Sequence, residues 1–360
     1  MKILHALYSG LGGHGSVFFS MIAADKENEY EALFFGVEEV RKDFIDQCAE
    51  KNIRWNFSRK KYKIDLAYYR GIMKAFRQSG ADVIFLHGSA HILLAKLAFL
   101  LRRKKPKIII RETQANHLKT TAQWFSLSFA MFLANHIVFL TNEFRDQVKN
   151  KLGIIFRAQK TTIISNGIDF EIFKPVIKQP TNQITIGMQS RLVPIKDHIT
   201  LIMAFAKLKK ETNRDLRLII AGDGNNRETL IRETAENGME QQIYFPGMLS
   251  EPELVSFLQN LDIYVHATLG ETMSTAVMQA MACGLPVIAS DVDGINNMIT
   301  NGETGLLIPP KNAEMLTAAM KDLISDAPLR EKLKQNALQY AHAHFSNHQM
   351  TTSYKNLFLQ

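Results

Sequence analysis

Strand-length runs of Val, Ile, Leu and Phe with no polar alternation constrain this chain most, because each is separated from the next by a segment of helix length. The first set is KILHALY (2–8), EALFFG (31–36), DVIFL (82–86), KIIIR (107–111) and HIVFL (136–140). A strand apolar on both faces must be covered on both faces. The intervening amphipathic segments supply those covers, which is the logic of βαβ units and a parallel sheet. The pattern begins again with QITIGMQ (183–189), LRLIIA (216–221), DIYVH (262–266) and PVIAS (286–290). The expected fold class is therefore α/β, with two Rossmann-like doubly wound parallel-sheet domains facing a cleft. Length agrees, since 360 residues exceed one comfortable core and 46% apolar content can fill two. The expected boundaries are 1–175, 176–345 and a terminal helical segment 346–360 that packs back on the first domain. FKPVIKQPTNQ (173–183), with two prolines and no period, suits the linker.

Several classes are excluded early. The most apolar stretch, Trp124 to Leu140, is interrupted by Ser126, Ser128, Asn135 and His136. It reads as a buried helix running into a strand and not as a membrane span. Two cysteines, Cys48 and Cys283, make no disulfide framework, and the start MKILHALYSGLGG reads as a strand entering a glycine turn; both suit a cytoplasmic protein. Charge is uneven: residues 1–175 hold 27 Lys+Arg against 16 Asp+Glu, and residues 176–360 hold 16 against 19, together the chain's +8. The basic excess is densest in RKKYK (59–63) and in RRKKPK (102–107), which follows the apolar HILLAKLAFLL (91–101). Such a face suits an anionic lipid surface at the membrane periphery, an anionic substrate, or merely a solvated helix end. Nucleic-acid binding is disfavoured despite a pI near 9.3, because no helix-turn-helix or aromatic platform accompanies the charge.

In open α/β sheets ligands sit beyond the carboxyl ends of the strands, so the polar residues there carry the functional reading. After the first strand comes SGLGGHG, in which Gly12, Gly13 and Gly15 let backbone approach a ligand and precede a helix N-terminus suited to an anion. The spacing is not the dinucleotide fingerprint, and no acidic residue ends the second strand, which disfavours a nicotinamide cofactor. The second domain opens with SRLVPIKDH, placing Arg191 and Lys196 as a clamp for a diphosphate. The turn at Gly222 ends the next strand. DIYVH is followed by Glu271, then by a helix expected from about Thr275 to Cys283, with Ser274 as N-cap and Gly284 as the stop. Gln279 stands two turns into it.

These residues, in this order, resemble the GT-B-fold retaining glycosyltransferases of family 4. The motifs are ISNGIDFEIFKP (164–175), the R-x(4)-K pair of SRLVPIKD, AGDGNNRETL, FPGMLSEPEL, NGETGLLIPP, and GETMSTAVMQAMACGLPVIAS in place of the family's E-x(7)-E element. The resemblance implies a nucleotide-sugar donor, UDP-sugar favoured. Its base would lie near Met248 and Leu249, its ribose at Gln279, and its diphosphate on Arg191, Lys196 and the N–H groups of Met273, Ser274 and Thr275. Glu271, Arg191 and Lys196 are the expected catalytic residues. The family's second Glu is Gln279 here, which keeps a carbonyl acceptor and loses the charge.

No cofactor and no metal are expected, since no paired carboxylates end a strand as Mg²⁺ would want. Transfer with retention at the anomeric carbon is the implied reaction, with a lipid-linked or cell-envelope glycan as acceptor. His87, Glu112 and His117 end strands of the first domain and are the candidates for orienting that acceptor. Rival readings are an epimerase or phosphorylase on the same plan, and a catalytically weakened sugar-nucleotide-binding protein, the latter motivated by Gln279.

Overall fold

The computed structural model describes residues 1–10, 13–178 and 181–360. The chain forms two compact units, Met1–Gly167 with Asn347–Gln360, and Ile168–Ser346. Residues 168–175, expected to close the first domain, thus belong to the second unit, and part of the expected linker, Gln179 and Pro180, lies outside the described residues.

The first unit is built on seven parallel strands: β1 (Lys2–Tyr8), β2 (Glu29–Gly36), β3 (Arg54–Arg59), β4 (Val83–His87), β5 (Lys107–Arg111), β6 (His136–Phe139) and β7 (Thr161–Ile163). Their spatial order is β3-β2-β1-β4-β5-β6-β7. Alternate residues of one strand serve opposite faces: Leu4 and Ala6 of β1 join one buried cluster, while Ile3 and Leu7 join clusters on the other side. That double burial is what the uninterrupted apolar runs required. The terminal helix Asn347–Leu359 covers part of the second face. Tyr354 and Phe358 stand with ring centroids 5.2 and 6.2 Å from Phe85, and Lys355 pairs with Asp25 and Glu27 at 3.8 and 2.7 Å. Burying each such aromatic ring contributes on the order of 2 kcal/mol.

The second unit has six parallel strands: β8 (Gln183–Gln189), β9 (Asp215–Ala221), β10 (Ile243–Gly247), β11 (Ile263–His266), β12 (Val287–Ser290) and β13 (Leu306–Ile308). Their order is β10-β9-β8-β11-β12-β13. In each sheet the direction of winding reverses once, between β1 and β4 and between β8 and β11. At such a switch the flanking connections go to opposite faces and leave a crevice at the carboxyl ends.

One sequence expectation is corrected. The stretch beginning at Trp124 does run from a helix, Thr121–Leu133, into β6, but the helix is not buried all round. Leu127, Ala130 and Met131 face the core, while Phe125, Phe129 and Phe132 are 63%, 51% and 52% exposed.

Candidate active site

The residues singled out in the second half of the sequence gather at the carboxyl ends of β8 and β11. β8 passes at Ser190 into the loop that carries Arg191 and Lys196. Backbone pairing holds this loop against the turn after β9: Ser190 N–H donates to Ala221 O at 3.0 Å, Leu192 N–H to Asp223 O at 2.9 Å and Asn226 N–H to Leu192 O at 2.9 Å. Gly222 makes the approach feasible. Its φ is +136°, and a Cβ there would lie 1.8 Å from Ser190 O. Gly222 therefore positions the Arg191 loop. Next to it, Gly222 N–H donates to Gly247 O at 2.8 Å, and the following Met248 is exposed and Leu249 half-buried at the end of β10.

From β11 the chain enters a second loop seated on the first. Leu269 N–H donates to Ile195 O at 2.8 Å, and the Thr268 hydroxyl lies 3.2 Å from the same carbonyl. Glu271 N–H donates to Asp293 O at 3.2 Å, and a Cβ on Gly294 (φ +81°) would come within 2.4 Å of Glu271 O. The helix then runs Thr275–Ala282. Ser274 caps it, its Oγ accepting from Val277 N–H at 3.4 Å. At the other end Gly284 adopts φ +69°, Gly284 N–H bonds Met281 O at 3.0 Å and Leu285 N–H bonds Ala280 O at 3.1 Å, a Schellman stop. Caps and stop stand where the sequence put them, with the last helical residue one earlier.

Charged and polar side chains meet inside this frame. Lys196 Nζ donates to Glu271 Oε1, and His266 Nε2 lies 3.0 Å from the same oxygen. The His266 imidazole is fully buried, which, with Lys196 and His198 nearby, holds it well below its ordinary value and leaves it neutral. Facing a carboxylate, Nε2 is the protonated nitrogen; Nδ1 lies 3.3 Å from the Tyr264 hydroxyl, which donates to Gln189 O at 3.3 Å. Burial, reinforced by the Arg191 guanidinium, brings the Lys196 ammonium down to about 7. Arg191 itself is exposed. Gln279 is buried within the helix, not on its surface, and its Oε1 accepts from Gln189 Nε2 at 2.6 Å.

Sequence reasoning missed Gln189 and gave His266 no role. Both end a strand at the switch point, and that position alone would have singled them out.

The first unit gathers its candidates less tightly. Gly12 lies outside the described residues, and Gly13 and Gly15 lie inside the first turn of the helix Gly13–Ala24, not ahead of it. A Cβ on Gly15 would meet the Phe44 ring at 2.1 Å, so its smallness serves packing. His87 ends β4 with Nε2 3.1 Å from His5 Nδ1 and Nδ1 3.5 Å from an Arg111 nitrogen; burial keeps it neutral. Glu112 is buried beside Lys119, 3.4 Å from Nζ, and its Oε2 has no hydrogen-bond partner among the described residues. His117 is exposed in the short turn Asn116–Leu118.

Residues 11–172 match the model of Glycosyltransferase Family 4, and residues 169–340 match that of Glycosyl transferases group 1. An uncharacterized glycosyltransferase of Methanocaldococcus jannaschii is 27% identical over 203 residues, 54% of this chain and 52% of that one. The D-inositol 3-phosphate glycosyltransferase of Stackebrandtia nassauensis is 30% identical over 205 residues, 52% of this chain and 46% of that one. The chain thus spans about half the length of the curated relatives it matches. Among solved structures, HepE of Anabaena, crystallised with UDP and glucose, is similar with a TM-score of 0.85 at 18% identity, covering 100% of both chains. With the two family models side by side and the fold shared from end to end, the chain belongs to the GT-B glycosyltransferases, its first unit of the Glycosyltransferase Family 4 type and its second of the group 1 type.

Proposed function

We propose that the protein moves a sugar from a nucleoside diphosphate sugar, UDP-sugar before others, to a lipid-linked or cell-envelope glycan acceptor, with retention and without a metal. The observation that carries this reading is the meeting of Lys196, Glu271 and His266 at the β8/β11 switch point, beside Arg191 and the N-terminus of the helix Thr275–Ala282. A leaving diphosphate needs positive charge fixed in place as its own charge grows. Arg191 and Lys196 supply it as a fork and a point charge, and the helix N-terminus adds N–H groups. Glu271 orients Lys196 and faces the donor sugar. In the transfer, the bond from the anomeric carbon to the phosphate oxygen breaks while the acceptor oxygen bonds to the same face. The acceptor proton passes to the departing phosphate oxygen, so no protein base is required. UDP is favoured because HepE was crystallised with it.

A panel of sugar nucleotides, incubated with and without EDTA and with the product anomer read by NMR, tests the proposal. Turnover of one donor, unaffected by chelation and giving the donor's own anomeric configuration, is the expected result. Inverted product or loss of activity on chelation overturns the mechanism. Binding without turnover would favour the weakened-binder reading that the neutral Gln279 motivates.

Two further outcomes bear on named residues. Gln279→Glu restores a charged acceptor at the proposed ribose position, and Gln189 can still donate to it. Replacing neutral by charge-assisted hydrogen bonds is worth about 1 kcal/mol, so calorimetry should show UDP binding about fivefold more tightly. Unchanged affinity would remove Gln279 from the ribose contact.

The second outcome concerns pH. Lys196 titrates near 7 in the free protein, and a bound diphosphate raises that value, so binding above pH 7 takes up a proton. Affinity is then full below the free value and is lost as pH rises through it. The UDP dissociation constant is expected to be about tenfold weaker at pH 8 than at pH 6. The loss of affinity on raising pH should be absent in Lys196→Arg, whose charge does not titrate there, leaving only the titration of the terminal phosphate of UDP at about pH 6.

A further inference from the structure

The first unit carries a surface that its own fold does not explain. In the helix Ile92–Ala98 and the turn after it, Leu93, Leu97, Leu100 and Leu101 follow a spacing of i, i+4, i+7 and i+8, and they are 50%, 52%, 60% and 98% exposed. The neighbouring helix Thr121–Leu133 turns Phe125, Phe129 and Phe132 outward at the same helical spacing. These two helices pack against one another. A helix on a water-soluble surface ordinarily shows polar residues on its outer face. Here seven Leu and Phe side chains occupy it, far more than the scattered exposed apolar residue that needs no account.

What surrounds the patch says what covers it. Residues 92–133 hold eight Lys or Arg and one carboxylate, Glu112, which is buried. Of the eight, Arg111 and the Lys119 side chain are buried; Lys96 and Arg102 to Lys105 border the leucines directly in sequence, Lys104 pairing with Asp82 at 2.9 Å. From a third segment Lys160 Nζ donates to Phe132 O and Ala134 O at 2.9 Å each, and the Arg157 guanidinium stands 4.7 Å over the Phe132 ring. Lys160 and Lys105 both approach Lys96 closely enough to depress its ammonium, after the larger effect of burial. Cations from two segments, 96–105 and 157–160, thus crowd around one apolar face.

We infer that this face docks on the surface of an anionic lipid bilayer, with Leu97, Leu101, Phe125 and Phe129 entering the acyl boundary and the Lys/Arg rim on the headgroups. Apolar side chains flanked by basic ones are what an interfacial element needs, because the bilayer takes up both. A second copy of the chain fits poorly, since two identical basic rims brought together would repel. The inference is independent of the proposed transfer reaction, because the patch lies in the first unit and its test reads binding, not turnover.

Co-sedimentation with vesicles of phosphatidylcholine alone, or with phosphatidylglycerol added, tests it. Wild-type protein is expected to bind the anionic vesicles at least about tenfold better, and high salt should weaken that binding by screening. The double variant Phe125→Glu/Phe129→Glu should lose about tenfold or more, and so should Leu97→Glu/Leu101→Glu. Arg102→Gln/Arg103→Gln/Lys105→Gln should lose on the order of a hundredfold, at about fivefold per removed charge. All replaced side chains are exposed, so melting temperatures should stay near that of the wild type, which separates lost docking from lost folding. The inference is overturned if wild-type protein ignores anionic vesicles or binds both kinds equally, or if both apolar variants bind as wild type. Light scattering that shows a dimer dissolved by Phe125→Glu/Phe129→Glu would also overturn it.

Discussion

Lys196→Met is expected to lower turnover of the nucleotide sugar by about 10²–10³-fold, the cost of removing one preorganised charge from a site where charge develops. Methionine keeps most of the side-chain length and fills the same buried space, so packing is nearly conserved. What is lost is the ammonium, which joins Glu271 Oε1 in the structure. The loss has two parts. The leaving diphosphate loses a fixed positive charge, and Glu271 loses its cationic partner while His266, 3.0 Å away, is neutral. Removing one partner of a largely buried pair costs more than the pair contributes, because the other charge stays behind. Lys196→Arg separates the parts: it keeps the charge while changing its shape, and should lie between the two proteins in kcat. Single-turnover kinetics at saturating donor is the decisive measurement. A Lys196→Met protein with weakened donor binding but an undiminished chemical step would place Lys196 in donor capture only.

The sequence made the centre of each sheet legible and hid its edges. Nine strands were read from their apolar runs, and the four that were not, β3, β7, β10 and β13, are the two outermost strands of each sheet. An edge strand has one neighbour and one thinly covered side, so it need not be continuously apolar. β3 is RWNFSR, with Arg54, Trp55 and Asn56 exposed; β7 is only Thr161–Ile163; β10 contains Pro246, which the missing neighbour tolerates. The same physics decided which site residues were found. Glu271, Ser274 and Gly284 announce themselves through helix start and stop chemistry. Gln189 and His266 carry no local signal, because their roles come from β8 and β11 lying side by side, 75 residues or more apart in the chain. The outward Phe side chains were misread because most positions of the helix Thr121–Leu133 are apolar, so its sequence carries no polar stripe to mark the exposed face.

Gly222→Ala is expected to be the most damaging change that touches no charged group. Gly222 holds φ +136°, a region closed to most side chains, and the added Cβ would stand 1.8 Å from Ser190 O. That neighbour is backbone and cannot rotate aside. Relief requires the loop that carries Arg191 and Lys196 to move away by about 1 Å, against the three backbone hydrogen bonds that hold residues 190–192 to 221–226. Strain of this kind costs about 3 kcal/mol, which for a unit of this size lowers the melting temperature by roughly 6–12 °C. Since the displaced loop bears the proposed diphosphate clamp, donor turnover should also fall by about tenfold or more, as small misplacements of binding groups do. Gly238→Ala is the matched control: Gly238 has φ +70°, but an added Cβ would meet nothing within 4 Å. It therefore carries the left-handed penalty of about 1–2 kcal/mol and no overlap, and its turnover should be unchanged. The difference between the two variants isolates the clash with Ser190. If Gly222→Ala melts and turns over like Gly238→Ala, the turn after β9 yields without disturbing the Arg191 loop, and Gly222 loses its positioning role.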